Sequence, residues 1–467
     1  MKADMVFSSF TFLLLFLPAS VLCTLLVPGI RGKNAVLCLF SLVFYAWGEP
    51  VYVLLMLASI LLNYLAGLGM ARYPARKKLL LLLAVLINLG ALGYFKYADF
   101  LTEGINGLLG TRLPLTGIAL PIGISFYTFQ ILSYVIDVYR GSVEAQRSLL
   151  SLATYISMFP QLVAGPIVRY DTVRRQLTER RVTGEGFAEG LRRFALGLGK
   201  KVLVANQMAL VADAAFRESA APCPVLWAGA VCYAMQIYFD FSGYSDMAVG
   251  MGKMFGFDFP ENFREPYLAD SITDFWRRWH ISLSSWFREY VYIPLGGNRR
   301  GPARQAVNLM IVWLLTGLWH GASWNFALWG LYYGVLLIAE KFLLGKRIDR
   351  VPAFFRHAGT LLLVLIGWVL FRVEDLGALS GVLREMFLFR TAGTARWFLG
   401  HADALRALAA LPVAVAACLP VRRRLLARVG GKRWTLWAGR AWALAVWLLS
   451  LAMLLGESYN PFIYFRF

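Results

Sequence analysis

The stretch "MVFSSFTFLLLFLPASVLCTLLVP", residues 5–28, runs for 24 positions without a charged side chain. A secretory signal core has roughly 7–15 apolar residues behind a basic leader. This run is longer and only Lys2 precedes it, so it is expected to be retained as a first membrane span. Crossing a hydrocarbon layer roughly 30 Å thick takes about 20 helical residues. Apolar segments recur near 6–27, 35–47, 51–70, 79–97, 118–139, 148–168, 202–216, 225–250, 305–319, 322–343, 358–371, 405–420 and 435–456. Several fall short of a full span and read as half-spans or re-entrant helices. The expectation is an all-α polytopic membrane protein of about ten to twelve helices in one membrane domain, residues 1–467.

Composition points the same way. The 467 residues are 59% hydrophobic and 16% charged, with mean hydropathy +0.59, against roughly 45–50% and 25% in soluble domains. Lys and Arg number 47 against 27 Asp and Glu, a net +20. These charges cluster between apolar segments, which is the signature of cytoplasmic loops and not of a nucleic-acid surface. The clusters are "ARYPARKK" (71–78), "RYDTVRRQLTERR" (169–181), Arg192 to Lys201, "WRRWHISLSSWFREYVYIPLGGNRRGPAR" (276–304) and "VRRRLLARVGGKRW" (421–434). Cytoplasmic amphipathic insertions are therefore expected at about 169–201 and 257–304. The last cluster precedes a single apolar segment, so the aromatic tail 457–467, within "SYNPFIYFRF", is expected on the outer face. The five cysteines show no paired spacing, and neither a disulfide framework nor a metal site is indicated.

Two of the four histidines sit in unusual company. In "LLTGLWHGASWNFALWG" (314–330), His320 falls roughly 20–25 Å along a helix that starts near Gln305, counting 1.5 Å per residue. An ionisable group at that depth is a functional candidate by default; the bland reading is a histidine tying two helices together. Trp319 and Asn325 flank it, and Gly317, Gly321 and Ser323 favour close helix approach and a local break. On a helical projection of 276–290, His280 shares a face with Trp276, Trp279, Leu283, Trp286, Phe287 and Tyr290, while Arg277 and Arg288 project from the flank. That face is expected to pack inward, with His280 either functional or a satisfied core residue. Arg277, Arg278, Arg288, Arg299 and Arg300 suit an anionic cytosolic substrate such as the phosphates of coenzyme A, and equally suit a topogenic role. "PLGGNRRG" (294–301) lacks the Gly-Lys-Ser/Thr element of a P-loop. Asp240, Ser242 and Asp246 lie in a largely apolar run and are candidates for lining a polar cavity or for a structural network. "FPQLVAGPIVRY" (159–170) favours a broken or re-entrant helix.

Together with "LPIGISFYTFQILSYVIDVYRG" (120–141), "FPQLVAGPIVR" (159–169), "IYFDFSGYSDMAVG" (237–250), "ENFREPYLADSITDFWRRWHISLSSWFREYVYIPLGGNR" (261–299) and "GLWHGASWNFALWG" (317–330), the chain resembles the membrane-bound O-acyltransferase family nearly end to end. Within it, the resemblance is to the branch of bacterial alginate O-acetyltransferase membrane subunits. It implies a ring of tilted transmembrane and re-entrant helices around a central cavity or tunnel, in the bacterial cytoplasmic (inner) membrane. His320 matches the family's catalytic histidine and His280 its second recurring polar position. Acetyl-CoA is the implied co-substrate, with no permanently bound cofactor; relatives that transfer D-alanine use a carrier protein instead.

The resemblance further implies an extracytoplasmic polysaccharide acceptor, reached indirectly through a separate outer-face acetyltransferase of the serine hydrolase (SGNH) type. "FIYFRF" resembles a short C-terminal element of envelope acylation systems in which Tyr464 would carry the acyl group, anchored by Phe462 and Phe467. An interfacial aromatic belt is the alternative for those rings. A lipid or protein acyltransferase would share His320. A transporter without chemistry would show paired internal repeats, and none is evident.

Overall fold

In a computed structural model of the chain, the described residues are 5–163, 165–218, 221–420 and 433–456. The described residues are 79% helical and contain no strand. Lipid cannot satisfy an unpaired backbone, and helices close every hydrogen bond within the segment, so this composition folds as helices throughout.

Among the described residues, six helices are long and apolar enough to cross a membrane: Tyr52–Arg72, Pro74–Leu109, Gly184–Arg217, Trp324–Leu344, Ala353–Arg372 and Trp434–Gly456. A bent pair, Thr394–Gly400 with Ala402–Cys418, makes a seventh if it is one span. The expected ten to twelve therefore divide into these and a set of shorter helices. Within the uncharged run 5–28, the helix Thr11–Leu26 is apolar but short of a full crossing. The 159–170 stretch is broken as expected: a helical turn Phe159–Leu162 follows a kink at Met158, and the chain is extended by Arg169.

Residues 184–201, expected within a cytoplasmic amphipathic insertion, form the first half of the helix Gly184–Arg217, which tolerates two of their charges inside the packed chain. The physical reason is neutralisation. Arg193 pairs with Asp246 at 2.8 Å, and Lys201 pairs with Asp240 at 2.9 Å with both side chains buried.

The chain forms two compact units, Met1–Phe194 with Ser245–Pro260, and Ala195–Tyr244 with Glu261–Phe467. In the first, Phe7, Phe12, Phe16, Phe44 and Phe159 interlock as a ring cluster. There Asn63 and Asn88 exchange reciprocal amide bonds between Tyr52–Arg72 and Lys77–Leu109. Such paired amides help join helices that have no hydrophobic drive to associate in lipid.

The second unit is organised on a hairpin of the helices Pro302–His320 and Trp324–Ile338. Two glycines permit its closeness: a Cβ on Gly317 would fall on the Phe326 carbonyl oxygen, and one on Gly330 on the Trp313 carbonyl oxygen. Against the hairpin lies an aromatic core in which Trp276 meets Trp313 at 4.6 Å and Tyr333 at 4.8 Å, while Trp279 meets Trp368 at 4.7 Å.

Candidate active site

His320 is the last residue of the helix Pro302–His320; the chain turns extended at Gly321 and restarts as a helix at Trp324. The break foreseen from Gly321 and Ser323 is there, and it leaves the imidazole at the end of a helix. His320 is buried, with the edges or faces of Trp319, Trp329 and Phe371 at ring separations of 5.0, 5.2 and 5.1 Å. Asn325 holds this corner together. Its amide nitrogen donates to the carbonyls of Leu370 and Phe371, both at 3.3 Å, and its oxygen accepts from the Ser323 hydroxyl. Asn325 thus ties the helix break to the end of Ala353–Arg372, which carries Phe371 against His320.

His280 lies one indole away. Its ring centre is 6.0 Å from that of Trp319, which in turn lies 5.0 Å from that of His320, and Phe241 packs on its other side at 4.7 Å. The helix expected to run unbroken over 276–290 is instead two, Ile272–Arg278 and Ile281–Phe287, hinged at Trp279 and His280. His280 has φ 45°, a left-handed conformation that costs a residue with a Cβ of order 1–3 kcal/mol and recurs at functional sites. Yet the inward face was read correctly: Trp276, Trp279, His280, Leu283, Trp286, Phe287 and Tyr290 are all buried, and Arg277 and Arg288 are exposed.

Asn262, which sequence reasoning passed over, accounts for the hinge. Its backbone oxygen accepts from the Ile281 N–H at 2.9 Å, and its side-chain oxygen accepts from the Ser282 N–H at 3.2 Å and the Ser282 hydroxyl at 2.9 Å. A backbone N–H can only donate, so the atom it meets is the amide oxygen. The same oxygen lies 3.2 Å from His280 Nδ1, so Nδ1 carries the proton and Nε2 the lone pair. Burial pushes the His280 imidazole down to about 3, which keeps that neutral tautomer in place at ordinary pH.

The acidic candidates go elsewhere. Asp240 is the buried partner of Lys201, whose Nζ also donates to Asn206 Oδ1 at 3.0 Å. Asp246 belongs to the first unit, where Arg193 holds it. Ser242 is buried, and its hydroxyl meets no hydrogen-bond partner among the described residues. Of the arginines, Arg278 is engaged with Asp274 at 2.8 Å. Arg277, Arg288 and Arg299 are exposed with no ion-pair partner among the described residues. Tyr464, Phe462 and Phe467 lie outside the described residues.

A further carboxylate steadies the loop. Glu340 accepts from the backbone N–H groups of Ile272 at 2.7 Å and Thr273 at 3.1 Å, capping the helix that leads into His280. Neither Asn262 nor Glu340 carried a sequence signal, because each acts on a segment remote along the chain. The assembled chemistry is a pair of imidazoles separated by an indole, in an aromatic enclosure, with exposed unpaired arginines on the segments just before and after His280. That is suited to proton transfer away from bulk water.

The family model for MBOAT, the membrane-bound O-acyltransferase family, matches residues 144–371, which include both histidines. The chain is 40% identical to a "Probable alginate O-acetylase AlgI" of Pseudomonas putida, over 99% of this chain and 100% of that protein. It is 44% identical to the protein of the same name from Pseudomonas aeruginosa, over 83% of this chain and 76% of that one. A peptidoglycan O-acetyltransferase of Helicobacter pylori is 34% identical over 82% of this chain and 80% of its own length.

Proposed function

This chain belongs to the membrane-bound O-acyltransferase family and is a multi-pass membrane acyltransferase, and on that premise we propose that it moves acetyl from cytosolic acetyl-CoA toward an extracytoplasmic polysaccharide such as alginate. The observation that carries the reading is the seat of His320, at a helix end inside an aromatic box, one indole from a second buried imidazole.

In this reading the exposed Arg277, Arg288 and Arg299 neutralise the phosphates of coenzyme A at the cytoplasmic surface of the bacterial inner membrane. Arg278, already bonded to Asp274, contributes less. His320 takes the proton of an attacking hydroxyl, whose oxygen adds to the thioester carbonyl. The tetrahedral centre then collapses, the C–S bond breaks, and the thiolate leaves with the proton returned by the imidazolium. His280, neutral and oriented by Asn262, fixes the wall on which Trp319 rests. The acceptor hydroxyl is that of Tyr464, with Phe462 and Phe467 anchoring it from the outer side. An outer-face acetyltransferase of the serine hydrolase type then carries the group to the polymer.

Incubating membranes with radiolabelled acetyl-CoA and mapping the labelled peptide tests donor and relay together. His320→Ala is expected to abolish transfer while the protein still accumulates; equal transfer would remove the base. Tyr464→Phe keeps the ring and deletes the hydroxyl, so undiminished acylation would remove the carrier.

A further inference from the structure

We propose that the turn joining Trp324–Leu344 to Ala353–Arg372 is a binding site for an anionic phospholipid. A cavity of about 380 Å³ lies there, lined by Phe342, Leu343, Leu344, Gly345, Arg347 and Arg350. Its two halves differ in chemistry. Phe342 to Leu344 form an exposed apolar lip that ends one candidate span, and the arginines form the other wall. They sit on the 3-10 turn Gly345–Arg350, where side chains three apart eclipse, so two guanidinium groups share one face. Gly345, at φ 47° and ψ −133°, makes the sharp reversal that folds that face back toward the lip.

The charges of this cavity are unspent. Arg347 and Arg350 have no ion-pair partner among the described residues. The acids that could neutralise them are committed elsewhere: Asp349 to Arg356 at 3.4 Å, Asp270 to the same guanidinium at 2.8 Å, and Glu340 to the N–H groups of Ile272 and Thr273. Two cations facing a common space attract a doubly hydrogen-bonding anion, and a phosphodiester fits that fork.

The placement selects the lipid as its source. The turn connects two candidate spans, which sets it at the level where headgroups lie. On the far side of the turn the next span opens with Phe354 and Phe355, 74% and 63% exposed, which extend the apolar surface available to acyl chains. A phosphate from solution would gain nothing from that surface.

The test uses the full-length protein, purified in detergent and stripped of lipid, then titrated with phosphatidylglycerol, phosphatidylcholine or inorganic phosphate under native mass spectrometry. A retained phosphatidylglycerol adduct is expected, weakened about tenfold in the Arg347→Gln/Arg350→Gln variant and by a smaller factor in Arg350→Gln alone. Arg76→Gln, an arginine at another junction between spans, should leave it unchanged. Equal retention in wild type and both variants would overturn the proposal. So would equal retention of phosphatidylcholine, equal loss in Arg76→Gln, or displacement of the lipid by millimolar inorganic phosphate.

Discussion

The hinge residue His280 shows how much of a site is settled by a single partner. Its φ of 45° is held by Asn262, which spends one side-chain oxygen on His280 Nδ1, the Ser282 N–H and the Ser282 hydroxyl. Replacing Asn262 with Leu strands those donors, at about 1–3 kcal/mol for a buried unsatisfied group. Thermal unfolding in detergent is expected to fall accordingly, and the transfer rate to fall at least tenfold as the tautomer is lost. Titration gives an independent check. The folded pKa of about 3 lies below the ordinary value near 6.5, so the unfolded chain binds the extra proton between them. This contribution to stability is complete above pH 6.5 and is lost as pH falls toward 3. Going from pH 7 to pH 5 should cost roughly 2 kcal/mol through this group, and His280→Gln should flatten that slope in thermal shift measurements. At this scale the sequence was informative about the surroundings of His320, since Gly321 and Ser323 foretold the helix break at which it sits. It was silent on Asn262 and Lys201, whose importance arises only when distant segments meet.

Between elements, buried charge and close backbone contact do the joining. The ion pair Lys201–Asp240 links Gly184–Arg217 to Cys223–Met254 within the second unit. Removing one partner leaves an uncompensated buried charge and should destabilise by about 3–5 kcal/mol, whereas Lys201→Met with Asp240→Leu should recover most of that loss. A double-mutant cycle of unfolding midpoints measures the difference. Glu340→Ala removes the carboxylate cap from Ile272–Arg278, worth about 1 kcal/mol, and should lower transfer more than it lowers stability because the loop bearing His280 loosens. The amphipathic face over 276–290 was legible because periodicity reports burial. The break within it was not, because a left-handed residue other than glycine leaves no compositional trace. Likewise the charges of 192–201 read as a loop because their acidic partners lie about 40 to 50 residues downstream.

For the molecule as a whole, hydropathy sufficed to identify a helical membrane protein, and the segments too short for a full crossing are the ones it left as half-spans, since a buried helix between other helices can be as apolar as one facing lipid. If Pro302 begins on the cytoplasmic side, the 302–338 hairpin returns there and Ala353–Arg372 crosses outward. Single cysteines introduced in a cysteine-free background test this: at Arg347 a membrane-impermeant maleimide should fail to react in intact cells, and at Thr391 it should react. The aromatic wall around His320 has a further consequence, which concerns waste. On the proposed role of His320, a thioester held beside that imidazole competes with hydrolysis, and Trp319, Trp329 and Phe371 pack their rings 5.0–5.2 Å from it. Enlarging that space with Trp329→Ala should raise acetate released per acetyl delivered, so the rings act as the enzyme's economy of donor rather than its source of rate.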